Sequence, residues 1–230
     1  MIVRERSSSY VLIKQHDHGL ISGEFARRWT EKPRPLEPTL YAIANHDIGW
    51  QSADASVRWN KDTDSPYSFT NYPTEPKLQI YKGGLDLLEL QSPYAACLCS
   101  MHYAALVSGS EDEAVIRFLE REAGRRHKIK STMTVEEVYN FEYNFRLLRL
   151  CDDLSLFVCL NEPGRNVHPW YQKGFEFKGR KLQPVWEDDY TLRFHPNPFS
   201  KPFDLVVPYA LIDKSGRATG SDDLELRVTC

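Results

Sequence analysis

Tyr41-Ala-Ile-Ala-Asn-His-Asp-Ile-Gly-Trp50 is the stretch on which the reading of this chain turns. Leu40, Ile43 and Asp47 fall on one helical face, Pro38 suits a first-turn position, and Gly49 ends the run. It therefore reads as an apolar helix that delivers His46 and Asp47 side by side at its C-terminus. A helix end loosens enough to turn both inward, and an imidazole beside a carboxylate suits a first-row transition metal. The plain alternative is a histidine that complements the helix dipole in the last turn, followed by an aspartate that begins a turn.

Upstream, Asp17 is placed to cap a helix from about His18 to Trp29, with His16 just outside it and exposed. His18, Ser22, Phe25 and Trp29 share one face of that helix, so the imidazole points the same way as two large rings. Before it, residues 2–5 and 10–14 read as two short strands joined at Ser7-Ser8-Ser9.

Downstream, residues 51–91 read as irregular, with Pro66, Pro73, Pro76 and a Gly83-Gly84 turn. A loop of that length is a lid or specificity loop, or a surface loop pinned by its aromatic residues. It leaves from His46-Asp47 and returns into the next helix, so as a lid it covers the site. Trp59 and Tyr67, with Phe69 and Tyr72, then stack on a base or exclude water, and Arg58 and Lys61 meet phosphate. Ser92-Pro93 opens a helix to about Val107 that is apolar nearly all round, hence central, with Ala95, Leu98, His102 and Ala105 on one face. A histidine there must be hydrogen-bonded or metal-bound, and a satisfied core histidine is the plain reading.

Ser110-Glu-Asp-Glu113 reads as a capping box for a helix that Gly124 closes. Arg125-Arg-His-Lys-Ile-Lys130 then reads as a solvated connector, or as a run that greets an anionic substrate. Thr134-Val-Glu-Glu137 opens the longest helix, to about Leu160. Val138, Phe141, Phe145, Leu148 and Asp152 lie on its apolar stripe, whereas Asp153 shares the outer face of Glu142, Arg146 and Arg149. An inward carboxylate needs a cation or donors to neutralise it.

From Glu162 the period changes to two: Phe175-x-Phe177, Leu192-x-Phe194, Leu205-x-Val207 and Leu224-x-Leu226-x-Val228, with Lys178-Gly179 and Ser215-Gly216 at turns. Four or more antiparallel strands follow, joined by the two N-terminal ones. The expected class is α+β: a mainly helical core over residues 15–160, with an antiparallel sheet from residues 1–14 and 161–230 packed on it as a single unit.

The 230 residues are 41% hydrophobic and 12% aromatic, enough for a full core. A net charge of −3 argues against bulk binding to a nucleic acid polymer or an acidic membrane. No apolar run approaches the ~20 residues that span a bilayer. The N-terminus has no signal core, so the expected compartment is the cytoplasm. The five cysteines include no Cys-x-x-Cys pair, which argues against a zinc knuckle. A homo-oligomer stays open.

His18, the His46-Asp47 pair, His102 and Asp152 thus come from four separate helices. Their order resembles the HD superfamily of metal-dependent phosphohydrolases at three places: His18-Gly-Leu-Ile-Ser-Gly-Glu-Phe-Ala26, Ala42-Ile-Ala-Asn-His-Asp-Ile-Gly49 and Leu150-Cys-Asp-Asp-Leu-Ser-Leu156. Within it the chain is most similar to a bacterial family labelled domain of unknown function 3891. The resemblance covers about residues 16–160. It implies a divalent metal held by His18, His46, Asp47 and Asp152, with Mn, Fe, Mg, Ni and Zn not distinguished. It implies that the ion activates water to hydrolyse a small anionic metabolite or nucleotide, with Asp47 and His102 as catalytic residues. His102 matches the extra histidine of some two-metal members, and Trp50 stands where many members carry a basic residue. A di-iron oxygenase, or a non-catalytic protein whose metal staples four helices, are the alternatives.

Overall fold

A computed structural model describes residues Met1–Cys230. Six helices occupy the middle of the chain: α1 (Gln15–Arg28), α2 (Leu36–Asn45), α3 (Thr74–Gln91), α4 (Pro93–Leu106), α5 (Glu113–Lys130) and α6 (Val135–Leu160). Strands β1 (Ile2–Glu5) and β2 (Ser9–Ile13) precede them. A two-residue pair, β3 (Trp59–Asn60) and β4 (Ser65–Pro66), lies in the loop after α2. Strands β5 (Phe175–Phe177), β6 (Arg180–Trp186), β7 (Thr191–His195), β8 (Phe203–Asp213) and β9 (Ala218–Thr229) follow α6. No helix is long and apolar enough to cross a membrane.

One seven-stranded sheet runs β1-β2-β8-β9-β7-β6-β5, so both chain ends build it, as the alternation predicts. The join is β2 on β8, with Tyr10 opposite Ile212 and Leu12 opposite Ala210. The sheet is mixed rather than wholly antiparallel, because β9 inserts between β8 and β7 and runs parallel to β7, Leu192 opposite Val228. Alternation tells which residues point inward but not the direction of the partner strand, so this could not be read locally. Lys178 and Gly179 sit at φ 52° and 75°, the two left-handed positions that a tight β5–β6 hairpin demands. β6 escaped the reading because Pro184 lies within it.

The sheet and the helices share apolar contacts. Phe25 of α1 meets Phe194, Phe199 and Phe203 at ring distances of 6.2, 5.7 and 5.8 Å, and Trp29 meets Phe177 at 5.2 Å. Helix starts with a local signal match expectation. The Ser92 hydroxyl caps α4 by accepting from the Ala95 amide at 3.2 Å, and Thr134 with Glu137 closes a reciprocal capping box on α6.

Three local readings are corrected. α1 starts at Gln15, not His18, because Asp54 from the distant loop accepts the Gln15 amide at 2.7 Å. Asp17 is therefore inside the helix, and His16 is a half-buried first-turn residue. The irregular segment ends at Pro73, and Gly83-Gly84 lies inside an 18-residue helix rather than at a turn. Close packing accounts for the second of the two glycines: a Cβ on Gly84 would sit 2.9 Å from the Gly49 nitrogen, and one on Gly49 would sit 2.3 Å from the Ile80 carbonyl. Finally, Asp112 caps α5, which runs through Gly124 to Lys130, so the basic run is helical rather than a connector. A mid-helix glycine costs about 1 kcal/mol against alanine, and ion pairs of Arg125 with Asp86, Glu89 and Glu122 hold that turn.

Candidate metal centre

Two glycines one turn apart on α1 let α2 lie directly against it. A Cβ on Gly19 would come 3.1 Å from the Ala44 carbonyl, and one on Gly23 would come 2.7 Å from the Ala44 Cβ. That approach brings His18 and His46 together, with ring centroids 5.0 Å apart and planes at 84°. α4 adds His102, 5.4 Å from His46, and α6 adds Asp152. His18, His46, Asp47, His102 and Asp152 are all buried, and Asp153 is exposed, as the helical face of α6 dictates. Asp47 itself leaves the helix at φ −109°, ψ 22° and starts a short 3-10 turn, Ile48–Gln51.

The tautomers follow from the hydrogen bonds. His46 Nδ1 lies 2.8 Å from the Ile43 carbonyl, which can only accept, so Nδ1 carries the proton. Ser155 Oγ donates to the Asp152 carbonyl at 2.8 Å and accepts from His18 Nδ1 at 2.9 Å. In both neutral rings the Nε2 lone pair therefore faces the centre. His18 Nε2 sits 3.0 Å from Asp47 Oδ2, and His46 Nε2 sits 3.4 Å from Asp152 Oδ1 with no hydrogen bond. His102 Nε2 is 3.5 Å from Asp152 Oδ2, and its Nδ1 is also unpartnered. Lone pairs set against carboxylates away from water repel unless a proton or a metal cation stands between them.

The charge balance says the same. Burial alone lowers the basicity of His46, but the Asp47 and Asp152 carboxylates outweigh it and hold the imidazole at about 9, so without a metal ion a proton on this ring answers the demand for a cation, and a metal would displace it. At His102 burial wins over Asp152, and the ring falls to about 4. Burial raises both aspartates, yet the surrounding histidines bring Asp47 and Asp152 below the ordinary carboxylate range.

The ligand atoms of His18, His46 and Asp47 lie within 4.8 Å of one another, as do those of His46, His102 and Asp152. A divalent cation fits this donor set. His18 and His46 each present one nitrogen inward and anchor the other on a hydroxyl or backbone oxygen, the arrangement metal-ligating histidines adopt, whereas His102 has no such anchor. His46 belongs to both triads.

Several neighbours were not foreseen. The Tyr103 hydroxyl, with one proton to donate, lies 3.1 Å from Asp47 Oδ1 and also against the His46 carbonyl, and Gln15 Nε2 donates to Asp47 Oδ2 at 2.9 Å. Ser22 Oγ donates to Ser155 Oγ at 2.8 Å. Ser155 was legible as the residue one turn past Asp152, and Ser22 shares the face of His18. Tyr103 and Gln15 carry no such signal.

The loop residues expected to meet substrate lie elsewhere in the packing. Trp59 stands edge-on to Tyr10 at 6.1 Å, and its indole donates to Asp64 at 2.9 Å, so it rides on the sheet. Arg58 donates to the Tyr72 hydroxyl at 2.7 Å, and Lys61 is exposed. Tyr67 meets Tyr72 at 5.8 Å, the outer end of a ring series Tyr67, Tyr72, Trp50, Tyr81, Tyr103 that reaches Asp47. None of the four makes a hydrogen bond, ion pair or ring contact with the histidine–aspartate cluster.

Fold and cluster together define a mixed α/β protein with a buried histidine–aspartate centre able to hold a metal ion. The chain belongs to the family described as Protein of unknown function (DUF3891), whose sequence model matches residues 1–214. No curated protein and no solved structure matches it.

Proposed function

We propose that this chain is a divalent-metal-dependent phosphohydrolase of the HD type that acts on a small anionic metabolite or nucleotide. The observation that carries the reading is the pair of Nε2 lone pairs, on His18 and His46, aimed at buried carboxylates with their Nδ1 atoms already committed. His18, His46, Asp47 and Asp152 would hold the ion, with His102 sharing Asp152. A bound divalent ion lowers the pKa of water and neutralises charge developing on phosphoryl oxygens. Ser155 and the Ile43 carbonyl fix the ring orientations, and Tyr103 and Gln15 hold the Asp47 carboxylate in place. Asp152 has the most exposed side chain of the five, 13% against 1–7% for the others, so substrate would arrive on its side.

The test is metal analysis of the purified protein with a phosphatase and phosphodiesterase panel, repeated on Asp152→Asn. Metal with turnover in the parent and neither in the variant is the expected result. Protein that takes up no divalent ion sinks the reading. Sharing of His46 between two donor sets keeps a di-iron oxygenase as the second reading, and colour with two irons per chain would favour it. Bound metal with no turnover reduces the centre to a staple.

A further inference from the structure

α6 passes the centre with two adjacent carboxylates on different faces. At about 100° per residue, Arg149 falls between them, about 60° from Asp152 and about 40° from Asp153. Asp152 points to the histidines. Asp153 and Arg149 line a groove of about 240 Å³ between α6 and the β5–β6 hairpin, which Arg146, Glu176 and Lys178 also line.

The groove holds three cations, and two are committed. Arg146 is held by Glu142 at 2.7 Å, and Lys178 by Glu31 at 3.0 Å. The guanidinium of Arg149 makes no ion pair or hydrogen bond and is exposed, with its Cζ 5.9 Å from the Phe145 ring one turn back. An uncommitted guanidinium beside the outermost residue of the centre has the donor fork that a phosphoryl group requires. One acid without an ion pair, Glu176, stands in the groove, and like charges repel an extended polyanion.

We propose that Arg149 anchors the phosphoryl group of the substrate, and that Glu176 restricts that substrate to a compact phosphomonoester rather than a polyphosphate or a nucleic acid strand. This rests on the hydrolase reading above and names its substrate class. Phosphate contact by Arg149 positions the substrate and takes no part in proton transfer.

The experiment is calorimetric titration of inorganic phosphate and of tripolyphosphate into the Mn²⁺-loaded full chain, with Mn²⁺ content measured separately. Arg149→Ala should weaken phosphate about tenfold or more with Mn²⁺ content unchanged, and Arg149→Lys should recover part of the loss. Arg146→Ala, which removes a paired cation from the same groove, should change phosphate binding less than twofold. Glu176→Gln should strengthen tripolyphosphate several-fold and leave phosphate nearly unaltered. Phosphate affinity unchanged in Arg149→Ala, equal losses in the Arg146 and Arg149 variants, or no phosphate binding by the parent would each overturn the proposal. If the parent takes up no Mn²⁺ but loses phosphate with Arg149→Ala, the anion site stands and the metal reading fails. If Mn²⁺ binds and phosphate ignores Arg149, the reverse holds.

Discussion

Two of the places where the molecule buries acid differ in the bases beside it. On α5, Glu122 is fully buried, and its neighbour Arg125 reaches it at 3.0 Å while also bonding Asp86 and Glu89 of α3. In the helical centre, Asp47 and Asp152 are buried among His18, His46 and His102. A guanidinium is a permanent cation with five donors and no lone pair, so the first cluster closes on itself. An imidazole carries charge only by taking a proton, so the second cluster is completed either by a proton on His46 or by a metal ion that takes the lone pairs of neutral rings. A buried carboxylate by itself says nothing of function, and the base beside it separates a clamp from a site.

The comparison breaks first at Arg125. Arg125→Ala leaves Glu122 with only the looser contact to Arg121 at 3.8 Å and should cost about 3 kcal/mol in denaturant unfolding. A loss under about 1 kcal/mol would mean the α3–α5 cluster is not the clamp described. The centre should respond to metal instead. Saturating a metal-free sample to about a hundred times its dissociation constant should add about 2.7 kcal/mol of stability, reversed by chelator. The same addition to Asp152→Asn should do nothing, and an equal gain there would remove Asp152 from the donor set.

Gly23→Ala sharpens the contrast from the packing side. Its Cβ would lie 2.7 Å from that of Ala44, so α1 and α2 must part, at about 1–3 kcal/mol. Metal content should fall with the separation of His18 from His46. Full metal content at reduced stability would show that the close approach serves packing alone. The smallest effect belongs to Asp153→Asn, whose side chain faces the groove. Metal content and thermal midpoint should stay at parent values, and metal lost there but retained in Asp152→Asn would reverse the two aspartates.

Much of this was legible along the chain. Capping residues at Ser92, Thr134 and Glu137 announced α4 and α6, and period-two alternation at both ends announced one shared sheet. The helical face of α6 separated Asp152 from Asp153, and Ile43 and Asp47 shared a face at the end of α2. These are short-range properties, since a cap, a stripe or a pleat is written in residues a few positions apart.

Contacts between distant residues decided the rest. Asp54 starts α1 at Gln15, three residues before the His18 start that an Asp17 cap would give, and the close approach of Gly49 accounts for a glycine at 84 inside a helix. β9 takes its place beside β7, and Arg125 turns a basic run into the last turns of α5. Ser155, Tyr103 and Gln15 find the centre from α6, α4 and α1. Periodicity states which face of an element is apolar and leaves open what covers it. The order of four ligand-bearing helices could therefore be read from the chain, while the orientation of each imidazole nitrogen depends on partners up to 137 residues away.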